Sequence, residues 1–294
     1  MDKVFLQEDE DLVDIRIDGA FKAVFARETP ESTGALSGLV SALIGRNVSI
    51  ISILANEPAI DNTQDIQMRF DINCRAESGE LVSVEMSLFP KPLERERMEY
   101  HVAKLFTGQD IRGTHRGYKD LKEAYQITIL AKKSFFPDEN FFHTFEYFDP
   151  VLMMPLNGRT RIISLELSKL EKIAAKPAGE MSIPERWAVY LEYLTDRSKR
   201  SKINEIAELE EGIAMASGVL VKVSRDEEER ARIMRQEKTE LDWISYMAYA
   251  KEEGHAEGLE KGLQETAKKA LEEGASIDFV SKITGLDPET IRSL

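Results

Sequence analysis

The chain is poor in cysteine, with one, Cys74, in 294 residues. A lone thiol closes no intrachain disulfide and builds no zinc cluster, which excludes a disulfide scaffold and fits a reducing, cytoplasmic location. Long apolar runs are missing too. No stretch approaches the ~20 residues needed to span a bilayer, the longest candidates being short segments such as 124–131, so no membrane partner is expected. The opening MDKVFLQEDEDLVDIRIDGAF is too acidic and too interrupted for a secretory segment and lacks the Arg-rich bias of a transit peptide. Positive charge is in deficit: 39 Lys and Arg stand against 53 Asp and Glu, a net −14. That excludes a uniformly basic nucleic-acid coat, while leaving open a local basic zone or contact through a bound cation. No G-x-S-x-G elbow occurs, nor a phosphate-loop or dinucleotide glycine pattern. Serine-nucleophile hydrolysis, nucleotide triphosphate hydrolysis and hydride transfer are therefore not expected.

What is present falls into three textures. Residues 10–150 mix helical and strand-like patterns and end in FFPDENFFHTFEYFDP, which reads as an α/β domain. Residues 151–250 turn helical, with PERWAVYLEYLTD opening at Pro184 and a charged run nearly free of breakers after it. Residues 251–294 carry Gly254, Gly258 and Gly262 along one helical stripe. A solvated linker helix and a self-association face are the two readings of that stripe. In the closing SIDFVSKITGLDPETIRSL, Gly285 is placed to stop one short helix and Asp287-Pro288 to start the next. With one Lys and one Arg, this pair suits packing or homo-oligomer contacts better than reading DNA.

The most informative stretch is 67–89. Met68, Phe70, Ile72 and Cys74 alternate with Gln67, Arg69, Asp71, Asn73 and Arg75, and Val82, Val84, Met86 and Leu88 alternate with Ser83, Glu85 and Ser87. Period-two runs joined by Ala76-Glu77-Ser78-Gly79-Glu80 predict a hairpin with one core face and one polar face. Pairing Arg75 with Leu81 across that loop sets Asp71 directly opposite Glu85. Opposed side chains in an antiparallel pair have Cβ atoms about 4.5–5.5 Å apart, and like charges there are destabilising. A hard divalent ion would relieve the repulsion, activate water and stabilise a phosphodiester under in-line attack. The alternative is a solvated pair neutralised by Arg69 and Arg75.

With these residues in place, the chain resembles the PD-(D/E)XK nuclease family transposases, or recombination-promoting nucleases. Asp18-Gly-Ala-Phe21-Lys22-x-x-Phe25 is similar to the family's D-x-x-FK-x-x-F opening, and FDINCRAESGELVSVEMS to its central hairpin, with Asp71 and Glu85 on the two acidic positions. Arg97 followed by Tyr100-His101, and Tyr118-x-x-Leu121 leading to Ile127-Thr-Ile129-Leu130, resemble later motifs in order. The resemblance implies a restriction-endonuclease-like core, a mixed central sheet flanked by helices, with a helical C-terminal extension. It implies Mg²⁺- or Mn²⁺-dependent DNA cleavage tied to recombination, with Asp71, Glu85 and the Met86 carbonyl on the metal and Asp18 and Lys22 in support.

One position departs from the pattern. Ser87 stands where the superfamily places a water-orienting Lys, and this family Gln. Two readings follow, a nuclease with a relocated cation or a degenerate scaffold that binds DNA or protein. Arg69, Lys22, Lys91, Arg95 and Arg97 are the relocated-cation candidates, each required to bring a nitrogen within about 6 Å of the acid pair. Residues 91–133 hold ten basic and six acidic side chains, and within them Arg112, Arg116, Tyr118 and Lys119 form the densest basic-aromatic mixture, suited to DNA backbone contacts and base stacking. His101 and His115 are weaker candidates for metal ligation or general-base work.

Overall fold

The computed structural model describes residues 6–54, 71–90, 92–111, 117–156 and 158–294. Arg69, Lys91, Arg112, His115 and Arg116 lie outside them. Local signals set the first elements. Helix α1 (Asp18–Phe25) precedes α2 (Pro30–Ile44), which Thr29 caps by accepting from Ser32 N–H and which Gly45 ends at a left-handed φ of 81°. Strands β1 (Ile50–Ile53), β2 (Ile72–Ala76) and β3 (Leu81–Ser87) follow, then α3 (Glu94–Thr107), a 3₁₀ turn at Tyr118–Asp120 and β4 (Ala124–Leu130). Next come β5 (Phe142–Phe145), a small hairpin of β6 (Phe148–Asp149) and β7 (Met154–Pro155), and β8 (Thr160–Glu166). The remainder is helical: α4 (Glu171–Ala174), α5 (Ile183–Tyr193), α6 (Arg200–Leu209), α7 (Glu211–Arg225), α8 (Glu227–Glu272), α9 (Ile277–Thr284) and α10 (Pro288–Arg292).

Six strands form one mixed sheet in the order β1-β2-β3-β4-β8-β5. β3, β4 and β8 run parallel, and β1, β2 and β5 are antiparallel to their neighbours. This is the mixed α/β architecture expected. The β2–β3 register also agrees with the loop-length argument: Arg75 pairs with Leu81, Cys74 with Val82, Asn73 with Ser83 and Ile72 with Val84.

The first sheet face carries Ile72, Cys74, Val82, Val84, Met86, Ile127, Ile129, Ile163 and Leu165 into a core shared with Phe21, Phe25, Leu36, Leu39, Trp187 and Tyr190. Cys74 belongs to this core. Its thiol, 3.3 Å from the Val82 carbonyl, is pushed up to about 12 by burial and is chemically quiet. The second face differs from the open polar surface expected of it. Helix α3 packs across β3, β4 and β8, and Asn73, Ser83, Glu85, Gln126, Thr128, Ser164 and Glu166 are all buried, while Arg75 alone of the β2 residues is exposed. Alternation showed which side chains share that face but carried no information on what covers it.

Two compact units divide the chain, Met1–Met234 and Arg235–Leu294. The textural change near 150 is therefore not a boundary: β8 completes the sheet, and α7 packs on α1 and α2. Their backbones meet at glycine, since a Cβ on Gly38 would sit 3.0 Å from Gly212 Cα. In the second unit, Ala267, Val280 and Ile291 form the buried cluster. Gly285 closes α9 at φ 73°, and Asp287 caps α10 by accepting from Glu289 N–H and Thr290 N–H, as the sequence indicates. Gly254, Gly258 and Gly262 are exposed on α8, and a Cβ on any of them would meet no described atom within 4 Å. Among the described residues no helix is long and apolar enough to cross a membrane.

Candidate active site

Asp71 immediately precedes β2, and the ladder that pairs Ile72 with Val84 carries it to the level of Glu85 at the C-terminal end of β3. Its Oδ2 accepts from the Met86 N–H at 3.1 Å, tying the residue before β2 to the strand that bears Glu85. Helix α1 supplies the next two groups. Ala20, Phe21, Ala23, Val24 and Phe25 are buried in the core, so Asp18 and Lys22, one turn apart, share the remaining face. Lys22 Nζ lies 2.7 Å from Asp18 Oδ1 and 3.4 Å from Asp71 Oδ1. Two carboxylates thus gather around one ammonium.

The opposite wall is α3. His101 Nδ1 lies 2.7 Å from Glu85 Oε1, with the ring turned away from ideal hydrogen-bond alignment, and Arg97 Nη2 donates to the same oxygen at 3.2 Å. Arg97 is held from behind by Glu94, whose Oε1 is 3.6 Å from Nη1. Glu94, Arg97 and His101 follow i, i+3, i+7 spacing, one stripe of the helix. Glu85 is only 1% exposed, and its second oxygen, Oε2, is buried with no hydrogen-bond partner among the described residues. A buried carboxylate oxygen left bare is costly. With Asp71 beside it, this is the donor set a hard divalent cation takes.

Electrostatics agree. The Asp71 carboxyl is pushed up to about 6, by burial first and then by the charges of Asp18 and Glu85, against the pull of Lys22 and the Met86 N–H. The Lys22 ammonium is raised above its ordinary value: burial opposes this, but the hydrogen bond with Asp18 and the charges of Asp71 and Asp18 outweigh it. The acids are met by two cations on opposite walls, Lys22 beside Asp18 and Asp71 and Arg97 beside Glu85. Ser87, half-buried two residues beyond Glu85, ends β3, and its carbonyl accepts from Ala131 N–H at 2.9 Å. That bond, and the one from Lys132 N–H to the Leu88 carbonyl, bring exposed Lys132 and Lys133 to the same sheet edge.

A second acidic cluster lies further along this face. Asp138, His143 and Glu166 offer ligand atoms within 4.8 Å of one another. His143 Nε2 is 3.0 Å from Asp138 Oδ2, and Glu166 Oε2 accepts from Phe135 N–H at 2.6 Å and Phe136 N–H at 3.3 Å. Lys169 Nζ already stands among them, 2.6 Å from Glu166 Oε1 and 3.3 Å from Asp138 Oδ1. An ammonium fills the place a metal would take.

Of the residues singled out in the sequence, Asp18, Lys22, Asp71, Glu85, Met86, Ser87 and Arg97 converge on the end of β3. Tyr118 and Lys119 do not. They are exposed on the turn before β4, at the strand's N-terminal end, whereas Thr128, level with Glu85, lies towards its C-terminal end. His101 was underrated by sequence reasoning. The signal lay in Met98, Val102 and Leu105, buried apolar positions that bracket it on one helix face, which commits its imidazole to the interior and to a polar partner.

In a comparison against protein families, the profile of the PD-(D/E)XK nuclease family transposases matches residues 15–250. The chain belongs to this family. The match runs from before α1 into α8 and takes in every residue of the acid pair's surroundings. No curated protein and no solved structure gives a significant match. Asp71 and Glu85 could hold a divalent ion, since Glu85 Oε2 is buried with no hydrogen-bond partner among the described residues.

Proposed function

We propose that the protein is a Mg²⁺-dependent DNA endonuclease, Mn²⁺ serving equally, that hydrolyses phosphodiester bonds at the end of β3. The observation that carries this reading is the Asp71–Glu85 pair at the end of β3, with Glu85 buried, Asp71 half-buried and the Asp71 carboxyl pushed up by burial and by its acidic neighbours. Asp71 and Glu85 Oε2 would hold the ion, with the Met86 carbonyl as a third donor. The bound ion would supply charge neutralisation, a more acidic water and stabilisation of the pentacovalent phosphate. The Met86 N–H fixes Asp71 while Arg97 fixes Glu85. Lys22 stands in for the lysine that Ser87 does not provide: a serine hydroxyl has neither the charge nor the reach, and the Lys22 ammonium, 3.4 Å from Asp71, carries both. Lys132 and Lys133 line the same edge, suited to backbone phosphates and not to base edges, while the Arg95 guanidinium lies over the Phe135 and Phe136 rings.

Ser87 favours the second reading, a scaffold that binds DNA or protein without cutting. Plasmid nicking separates the two. The wild type is expected to nick in Mg²⁺ and to stop in EDTA, and Asp71→Ala and Glu85→Ala to lose 10³-fold or more, the scale of a lost electrostatic stabiliser. Lys22→Met should fall similarly and regain part of its rate when combined with Ser87→Lys. Equal behaviour of wild type and both acid variants across divalent ions returns the scaffold reading.

A further inference from the structure

We infer that His101 is a positioning residue that fixes Glu85 as a one-oxygen metal ligand through Oε2. This rests on the metal-site reading above and goes beyond it by assigning the two carboxylate oxygens separate tasks. Glu85 Oε1 faces His101 Nδ1 at 2.7 Å and Arg97 Nη2 at 3.2 Å, so its lone pairs are committed to α3. Oε2 is buried without a partner. The carboxylate cannot turn to offer both oxygens to one ion without abandoning the helix. His101 is the more closely held of the two clamps, being 3% exposed where the Arg97 side chain is 36% exposed.

An ionised carboxylate only accepts hydrogen bonds, so the nitrogen facing it at this distance acts as a donor. The imperfect ring alignment is that of a contact awaiting its ligand, as such contacts commonly tighten only in the loaded site. Partners of this kind, standing behind a ligand and setting its orientation, typically govern metal affinity by 10–100-fold. Arg97 donates to the same oxygen from a partly exposed side chain, so the two groups hold Oε1 together.

The test is Mn²⁺ affinity of the full chain, read from the electron paramagnetic resonance signal of free Mn²⁺, with thermal midpoints recorded alongside. Asn carries an amide N–H near the position of Nδ1, and Gln carries one nearer Nε2. His101→Asn is expected to hold affinity within about threefold, and His101→Gln and His101→Leu to weaken it about 10–100-fold. The inference is overturned if Asn and Gln weaken binding alike, which marks a role in packing alone, or if neither changes it. The Asn and Gln pair decides the matter even where Leu fails to fold. If Asp71→Ala loses Mn²⁺ while His101→Gln keeps it, this inference fails and the metal site stands. A wild type that takes up no Mn²⁺ overturns both.

Discussion

At Asp71 the conflict between stability and chemistry can be measured. Its folded value of about 6 lies above the 3.8 of an ordinary Asp carboxyl. Between those values the folded chain keeps a proton that the unfolded chain has released, so metal-free stability falls as pH rises through the window. The loss is roughly 3 kcal/mol once both values are passed, at about 1.4 kcal/mol per unit. Asp71→Asn, fixed in the neutral form, is expected to be more stable than wild type by about 2–3 kcal/mol at pH 7.5 without metal, and to lose that advantage near pH 4. Denaturant titrations in EDTA across this range check it, and a variant less stable at every pH contradicts it. The β2–β3 register from Ile72–Val84 to Arg75–Leu81 was legible in the sequence, from period and loop length. The His101–Glu85 contact was not, because the phase of α3 against the sheet depends on packing that no local pattern encodes.

Among the elements, a line of in-register polar residues joins the two acidic clusters. Glu85 pairs with Thr128, Thr128 with Ser164, and Ser164 with His143, across β3, β4, β8 and β5. The alternation of β3 was readable, but β4 and β8 show less of it: Ala124-Tyr-Gln-Ile-Thr-Ile-Leu130 is buried throughout, as expected of a central parallel strand covered on both faces. The Asp138–His143–Glu166 cluster therefore went unread, its members being distant in sequence and gathered by β5 and β8. Its geometry is structural, with Glu166 capping the chain at Phe135–Phe136 and pairing with Lys169. Glu166→Gln is expected to destabilise by about 2–4 kcal/mol, the scale of a broken buried ion pair. Its nicking rate, measured where the variant remains folded, should stay within about threefold of wild type. Folded protein with abolished cleavage would assign the metal to this cluster instead.

Across the whole molecule, the net −14 is not spread evenly in its consequences. Part of it is the acid set at the end of β3, where Lys22 and Arg97 pair with those acids and Lys132 and Lys133 stand at the same edge. The α/β class and the C-terminal capping signals followed from patterning and spacing, and the mixed sheet from the family resemblance. The division of the chain did not, since 151–234 reads as a separate helical region yet supplies β8 and the helices that close the core of the first unit. Tyr118 and Lys119 likewise looked close to the acids in sequence and lie at the far end of β4.

The central claim is a location: the divalent ion belongs between Asp71 and Glu85. Fe²⁺ substituted for Mg²⁺, with ascorbate and peroxide, cuts a polypeptide next to where the ion binds. The account requires cuts near residues 71 and 85–86, abolished by excess Mg²⁺ and by Glu85→Gln. Cuts near 138–143 and 166, insensitive to Glu85→Gln, would contradict it.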